Sequence, residues 1–133
     1  DKVGMYDCLR DVMCEHRSAN DITRQWQATD DIGKHVLYFL ENHDEQRIAS
    51  NFFCGNMQKG IPALIVAALF QCNPIMIYAG QEFGEKGMDG EGFSGIDGRS
   101  TIFDYWSIDA IRKGFFERSK LSAEQSQNID ALQ

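Results

Sequence analysis

The sequence has few positive charges and no cluster of lysine or arginine. Its 133 residues carry 13 basic side chains against 20 acidic ones, which gives a net charge of −7. Nucleic acids and anionic membranes are bound through clustered positive charge, so we expect neither as a partner. A neutral ligand such as a sugar is compatible with this charge.

The sequence also lacks a long apolar run, and its first residues do not match a signal-peptide pattern. Its longest apolar run, Ile61 to Phe70, is far shorter than the roughly 20 residues that a membrane-spanning helix needs. The opening DKVGMYD has no initiator methionine and none of the regions of a signal peptide. We therefore interpret the start as an internal position in a longer protein, and no local signal indicates a compartment.

No pair of cysteines has the CxxC spacing. The chain has four cysteines, Cys8, Cys14, Cys54 and Cys72. Their spacing disfavours a zinc site or a disulfide framework and favours buried, inert thiols. We expect no cofactor in this segment.

The composition is that of an ordinary globular protein, with 43% hydrophobic and 25% charged residues. The length fits one domain or part of one, and residues 1–133 are treated as a single unit. Hydrophobic periodicity and capping residues predict helices at residues 5–16, 21–33 (capped by Asn20 or Asp21 and ended by Gly33), 60–71, 108–118 and from Ser122 onward, with a turn or two of helix at 46–54.

Two apolar runs predict strands that are buried on both faces, as in a parallel sheet. They are Val36 to Leu40 and the stretch PIMIYAG, residues 74–80. The alternation of helix and strand predicts an α/β fold with parallel pairing. Polar residues follow both runs, and the carboxyl ends of parallel strands are where such folds place their chemistry.

The block after the first run contains Asn42, His43 and Asp44. A carboxylate fixed at a strand end can stabilise developing positive charge, and an imidazole can hydrogen-bond a hydroxyl group. From these residues alone, a site and a solvated loop are both open. A turn at the end of the strand is needed to bring His43 and Asp44 to the same side.

The glycine-rich stretch 84–98 holds six glycines and includes GEGFSG, which satisfies GxGxxG. No strand precedes that motif directly and no helix opens after it, while Asp89 and Glu91 would repel phosphates, so a dinucleotide site is disfavoured. The same acids do not fit the calcium-binding EF-hand pattern, because Phe93 stands at a ligand position. A loop at the rim of a sugar cleft is the preferred interpretation.

Four stretches resemble the α-amylase family, glycoside hydrolase family 13, in that family's order and spacing. FLENHDEQR resembles the end of the seventh strand of its (β/α)8 barrel, and PIMIYAGQEFGE resembles the eighth strand with the following loop. DKVGMYD is similar to the exit from the sixth strand, and GRSTIFDYW to the stretch downstream. The resemblance covers most of residues 1–115. It implies a partial TIM barrel, from the end of strand 6 through helix 8, with parallel strands and flanking helices.

The resemblance also implies roles for single residues. Asp44 matches the third catalytic carboxylate, which stabilises the oxocarbenium-like transition state, and His43 matches a histidine that hydrogen-bonds sugar hydroxyls. Asn42 matches a residue that supports the turn more than it contacts substrate. Arg47 is a further candidate for substrate binding. Its guanidinium is expected either to bridge to a nearby carboxylate or to remain a solvated charge. Tyr78 and Glu82 match structural positions.

Two motifs that the family needs for catalysis are absent from this sequence. A retaining glycosidase needs a nucleophilic carboxylate and an acid/base carboxylic acid about 5 Å apart, and no motif of either kind occurs here. The implied function is therefore a segment of a retaining enzyme that cleaves α-glucosidic bonds in starch-like glucans, inactive by itself. Transglycosylation instead of hydrolysis, and α-1,4 or α-1,6 linkage, are left open.

The resemblance also bears on partners and location. It implies an α-glucan as ligand, calcium as a possible ion of the parent enzyme, and slightly favours an extracellular or periplasmic location. Two strands and the tail of a third cannot close a barrel, so we expect self-association or pairing with the missing half. The alternative is a non-catalytic carbohydrate-binding or interaction module. Trp26, Phe103 and Trp106 could stack on sugars, and for Trp26 the protein core is favoured.

Overall fold

A computed structural model of the chain describes residues 2–87, 97–103 and 107–132. In these ranges about half of the residues are helical, and no helix is long and apolar enough to cross a membrane. The elements in chain order are a π-helical turn (Lys2–Tyr6), α1 (Asp7–Met13), α2 (Asp21–Gln27), a 3-10 turn (Gly33–His35), β1 (Tyr38–Phe39), α3 (Met57–Leu69), β2 (Ile75–Met76), a 3-10 turn (Gln81–Phe83), α4 (Asp109–Phe116), a 3-10 turn (Arg118–Lys120) and α5 (Ala123–Ala131).

The sheet has two parallel strands, with α3 between them in the chain. Tyr38 pairs with Ile75, and Phe39 pairs with Met76. The predicted parallel pairing of these two runs is confirmed, but each strand is only two residues long. The prediction of a partial TIM barrel is therefore wrong for this chain.

The backbone on either side of the pairs explains why the strands are short. The turn that begins after Leu40 ends the first run, and Gly80, with a φ of 93°, ends the second. Leu37 and Ile77 are 43% and 45% exposed, so neither run is buried on both faces. With so little extended backbone, the apolar side chains pack against helices instead of filling a barrel interior.

The observed helices lie where they were predicted, but several of them begin or end at other residues. The Ser122 hydroxyl caps α5 by accepting the Gln125 backbone N–H, and the Gln125 side-chain oxygen accepts the Ser122 backbone N–H in turn. The predicted start at Ser122 is therefore confirmed. α2 ends at Gln27, well before the predicted stop at Gly33. The stretch 46–54 forms turns and no helix, which corrects that prediction.

The hydrophobic core surrounds β1. Tyr6, from the π-helical turn, stacks on Phe39 with ring centroids 5.4 Å apart. The core residues are Met5, Tyr6, Leu9, Tyr38, Phe39, Leu40, Ile48, Phe53, Met57, Ala63, Leu64 and Ala67. Because β1 lies in this core, the polar turn that follows it starts from a fixed position.

The four cysteines are free thiols that differ in burial. Cys8 is buried, as predicted, whereas Cys72 lies after α3 and is exposed. The prediction of buried thiols is therefore wrong for Cys72, because α3 ends before it.

The C-terminal helices pack on the 3-10 turn Gln81–Phe83. Phe83 is buried, and its ring lies where a Cβ at Gly114 of α4 would come within 2.1 Å of it. The buried Asn128 of α5 accepts a hydrogen bond of 2.8 Å from the Gln58 side chain of α3. These contacts place α4 and α5 beside the segment that follows β2.

Candidate functional site

The candidate site is the turn that leaves β1, residues 41–47. Asn42 forms it: its Oδ1 accepts the backbone N–H of Asp44 at 2.8 Å and that of Glu45 at 3.0 Å. Asparagine often organises turns in this way, by replacing a backbone acceptor with its own side chain. The structure thus gives Asn42 the turn-supporting contacts that the resemblance implied.

The turn brings His43 and Asp44 to the surface side by side. His43 Nε2 lies 3.4 Å from Asp44 Oδ2, and the two side chains are 57% and 51% exposed. The Asp44 carbonyl also accepts a hydrogen bond from Arg99 Nε, which ties the turn to residues 97–99. The pair presents an imidazole and a carboxylate on one surface, and both groups can hydrogen-bond hydroxyl groups.

Arg47 does not join this surface pair. Its side chain is fully buried, Nη1 donates to Glu41 Oε2 at 2.8 Å and to the Ala79 carbonyl at 2.9 Å, and Nε donates to Ser100 Oγ at 2.8 Å. Of its two predicted states, the bridge to a carboxylate is therefore confirmed and the solvated charge is wrong. The burial also leaves no face of Arg47 open to a substrate.

The ion pair joins the ends of the two strands. Glu41 follows β1 and Ala79 follows β2, and Arg47 bonds both. Its guanidinium also stacks over the Tyr78 ring, 4.6 Å from the ring centroid. Parallel pairing thus brings the polar ends of both runs to one edge, as the sequence predicted.

Glu82 lies beside the same edge in a structural role. Its Oε2 accepts the backbone N–H of Gly80 at 2.9 Å, which holds the turn between β2 and the 3-10 turn. The structure therefore supports the structural interpretation of Tyr78 and Glu82.

Sequence reasoning did not single out Glu41 and Glu85 as site residues. Glu41 is fully buried, and burial raises its pKa although Arg47 opposes this. Glu85 is 9% exposed, and burial raises its pKa too, against the influence of the Gly87 N–H and Arg47. The sequence did hold a signal for Glu41. An acid that directly follows a buried apolar run is itself liable to be buried, and a buried carboxylate needs a cation or hydrogen-bond donors close to it.

The three aromatic residues considered for stacking on sugars differ in their surroundings. Trp26 packs edge-on against Phe70 with ring centroids 5.3 Å apart and adjoins the core, which agrees with its predicted core role. Phe103 is 72% exposed. Trp106 lies outside the described residues, as do GEGFSG, Asp89 and Glu91 of the predicted rim loop.

The described part of the chain shows no group of three or more carboxylate, imidazole or thiol side chains arranged to hold a metal ion. Comparison with known proteins finds no match: no protein-family model, no curated protein and no solved structure matches the chain.

Proposed function

We propose that the chain is a segment of an α-glucan-processing enzyme and that His43 and Asp44 face the glucan. The observation that carries the proposal is the pairing of these two side chains on the surface of the turn, 3.4 Å apart and both about half exposed. The residue types are those that the α-amylase resemblance assigns to sugar binding and to transition-state stabilisation. The proposal concerns these side chains and does not require a barrel.

In this proposal Asp44 supplies negative charge opposite a developing oxocarbenium ion. His43 donates a hydrogen bond to a sugar hydroxyl, and Asn42 holds the turn that presents both. The nucleophile and the proton donor come from residues outside this chain. By itself the chain is therefore expected to bind glucan weakly and to hydrolyse none.

A binding and activity experiment tests the proposal. Maltoheptaose is titrated into the ¹⁵N-labelled chain, and reducing ends are measured over the same concentrations. We expect amide shifts centred on residues 42–45 and no release of sugar. His43→Ala should remove the shifts, whereas His16→Ala, at an exposed histidine elsewhere, should keep them.

Two outcomes would contradict it. Shifts that survive both His43→Ala and Asp44→Asn would place any glucan elsewhere on the chain. Hydrolysis that Asp44→Asn abolishes would show a complete catalytic site, so that Asp44 would be more than a supporting carboxylate. If joining the chain to a segment with the missing acid motifs yields no activity although glucan binds, the non-catalytic binding module is the better interpretation.

A further inference from the structure

A cavity of about 330 Å³ lies between the segment after the 3-10 turn Gln81–Phe83 and the starts of α4 and α5. Phe83 and Ala110 form its apolar wall, and its charged groups are Glu85, Lys86, Asp109 and Glu124. Neither His43 nor Asp44 lines it, so it is separate from the turn described above.

The buried charges behind this cavity do not balance. Arg47 is paired with Glu41 at 2.8 Å, and both are fully buried. Glu85 is 9% exposed and interacts electrostatically with both of them, yet no ion pair within 4 Å neutralises it in the described ranges. Its carboxylate accepts the backbone N–H groups of Gly87, at 2.9 Å, and of Lys86, and neither of these groups carries a full positive charge. One guanidinium thus serves two buried carboxylates, and an unbalanced buried negative charge is costly.

The other charged groups of the cavity do not supply the missing cation. Asp109 already binds Lys113 at 2.5 Å and Arg112 at 3.1 Å. Lys86 is exposed and makes no ion pair within 4 Å to a described carboxylate. Glu124, at the rim, adds a further negative charge. Three of the four charged side chains that line the cavity are therefore acidic, and Glu85 is the buried one among them.

The shape and lining indicate what kind of cation fits. The described residues offer no metal-binding group of three, so a bare divalent ion lacks its ligands. The wall of Phe83 and Ala110 suits an alkyl chain, and about 330 Å³ is ample for four carbons and an ammonium group. The cavity thus combines an apolar wall with a buried carboxylate that lacks a counter-ion.

We propose that this cavity binds a primary alkylammonium group, with the Glu85 carboxylate as its counter-ion. A free amine and the lysine side chain of another protein share this chemistry. The inference is independent of the glucan proposal, because it depends on other residues and another surface.

The experiment is an NMR titration of the ¹⁵N-labelled chain in phosphate buffer with n-butylamine, with Nα-acetyl-lysine methylamide and with n-butanol. We expect both amines to shift the amides of residues 83–86 and 109–110, and butanol, which lacks the charge, to leave them in place. Binding of both amines indicates a site that accepts a protein's lysine, and binding of butylamine alone indicates a free amine. Glu85→Gln should weaken amine binding on the order of tenfold or more. Asp130→Asn removes an exposed charge from α5 outside the cavity and should change little.

The pH dependence gives a second readout with the unaltered chain. The charged groups that face Glu85 are Arg47 and Glu41 behind it, Asp109 and Glu124 from α4 and α5, and Lys86 beside it. Because a proton on Glu85 competes with the ammonium group, binding should tighten as pH rises from 5 to 8. The amine, with a pKa of about 10, stays charged in this window.

Several results would overturn the proposal. They are equal shifts with butanol, no shift with either amine, or an amine affinity that is unchanged in a folded Glu85→Gln variant. If Glu85→Gln does not fold, Glu124→Lys at the exposed rim serves instead. It adds a positive charge at the entrance, and unchanged amine binding in that variant would equally overturn the inference.

Discussion

At Arg47 a single guanidinium holds together three separate parts of the chain. It donates to Glu41 after β1, to the Ala79 carbonyl after β2, and to Ser100 in the segment 97–103. Its side chain is fully buried, and Glu41 is the carboxylate that pairs with it, at 2.8 Å. Removal of one partner from a buried ion pair destabilises the fold more than replacement of both partners by apolar residues, because the remaining charge stays buried and unpaired.

Arg47→Met should lower the free energy of unfolding by about 3–5 kcal/mol, since Glu41 would lose its counter-ion in the interior. Urea unfolding monitored by circular dichroism measures this. Arg24→Met is the matched control: Arg24 pairs with Asp21 from a side chain that is 82% exposed, and its loss should matter little. Equal losses in the two variants would contradict the role given to Arg47.

Asn42 acts at the same scale through its side-chain oxygen. Asn42→Ala leaves the N–H groups of Asp44 and Glu45 without that acceptor, so we expect a loss of about 1–2 kcal/mol. Asn42→Asp keeps the acceptor and should retain most of the stability. A loss in Asn42→Asp as large as in Asn42→Ala would show that the two hydrogen bonds are not what holds the turn.

Among the elements, α4 depends on one glycine. Alanine is ordinarily better than glycine in a helix by about 1 kcal/mol. At Gly114, however, the added Cβ would lie 2.1 Å from Cζ of the buried Phe83 ring. Contact with Phe83 therefore overrides helix propensity at this position.

Gly114→Ala should for this reason destabilise the chain, by about 1–3 kcal/mol. Thermal and urea unfolding test it, with Ser126→Ala on the exposed face of α5 as a control that changes propensity alone. In a Phe83→Leu background, where the side chain is smaller, Gly114→Ala should cost less. A stabilising effect of Gly114→Ala in the original background would contradict the packing described here.

The helices and strands also show how much of the secondary structure could be predicted from the sequence. The cap at Ser122 and the helical periodicity of α3 are local properties, so they were recognised from residues a few positions apart. Strand length depends on which partner the backbone meets, and the apolar runs alone predicted strands longer than those that form. The resemblance placed these runs in a barrel, but among the described residues only four pair as strands.

At the scale of the whole molecule, the buried acids make stability depend on pH. Burial raises the pKa of Glu41 and of Glu85, so the folded chain keeps protons that the unfolded chain has released. The resulting stability is fully present below the unfolded pKa of about 4.3 and is lost as pH rises through the folded pKa.

We therefore expect the free energy of unfolding to fall as pH rises above about 4.5, by at most about 1.4 kcal/mol per pH unit for each group. Urea unfolding at a series of pH values gives the slope. Glu85→Gln should make it shallower, and Asp130→Asn, which removes an exposed charge outside the cavity, serves as the control. Identical slopes in all three proteins would contradict this assignment.

Self-association, expected from the sequence, stays a prediction.

The sequence by itself determined the local features: the turn at Asn42, the cap at Ser122, the two apolar runs and their parallel order. The turn, the cap and the runs depend on backbone and side-chain preferences within a few residues, and the parallel order follows from the alternation of helix and strand along the chain. Only the tertiary structure decided that Arg47 is buried on Glu41, that Glu85 opens on a cavity, and that Gly114 faces Phe83. Those outcomes depend on contacts between distant parts of the chain, such as Arg47 with Ala79 and Ser100 or Gly114 with Phe83. These residues meet in the interior, where water no longer screens charge and no space remains for an extra carbon.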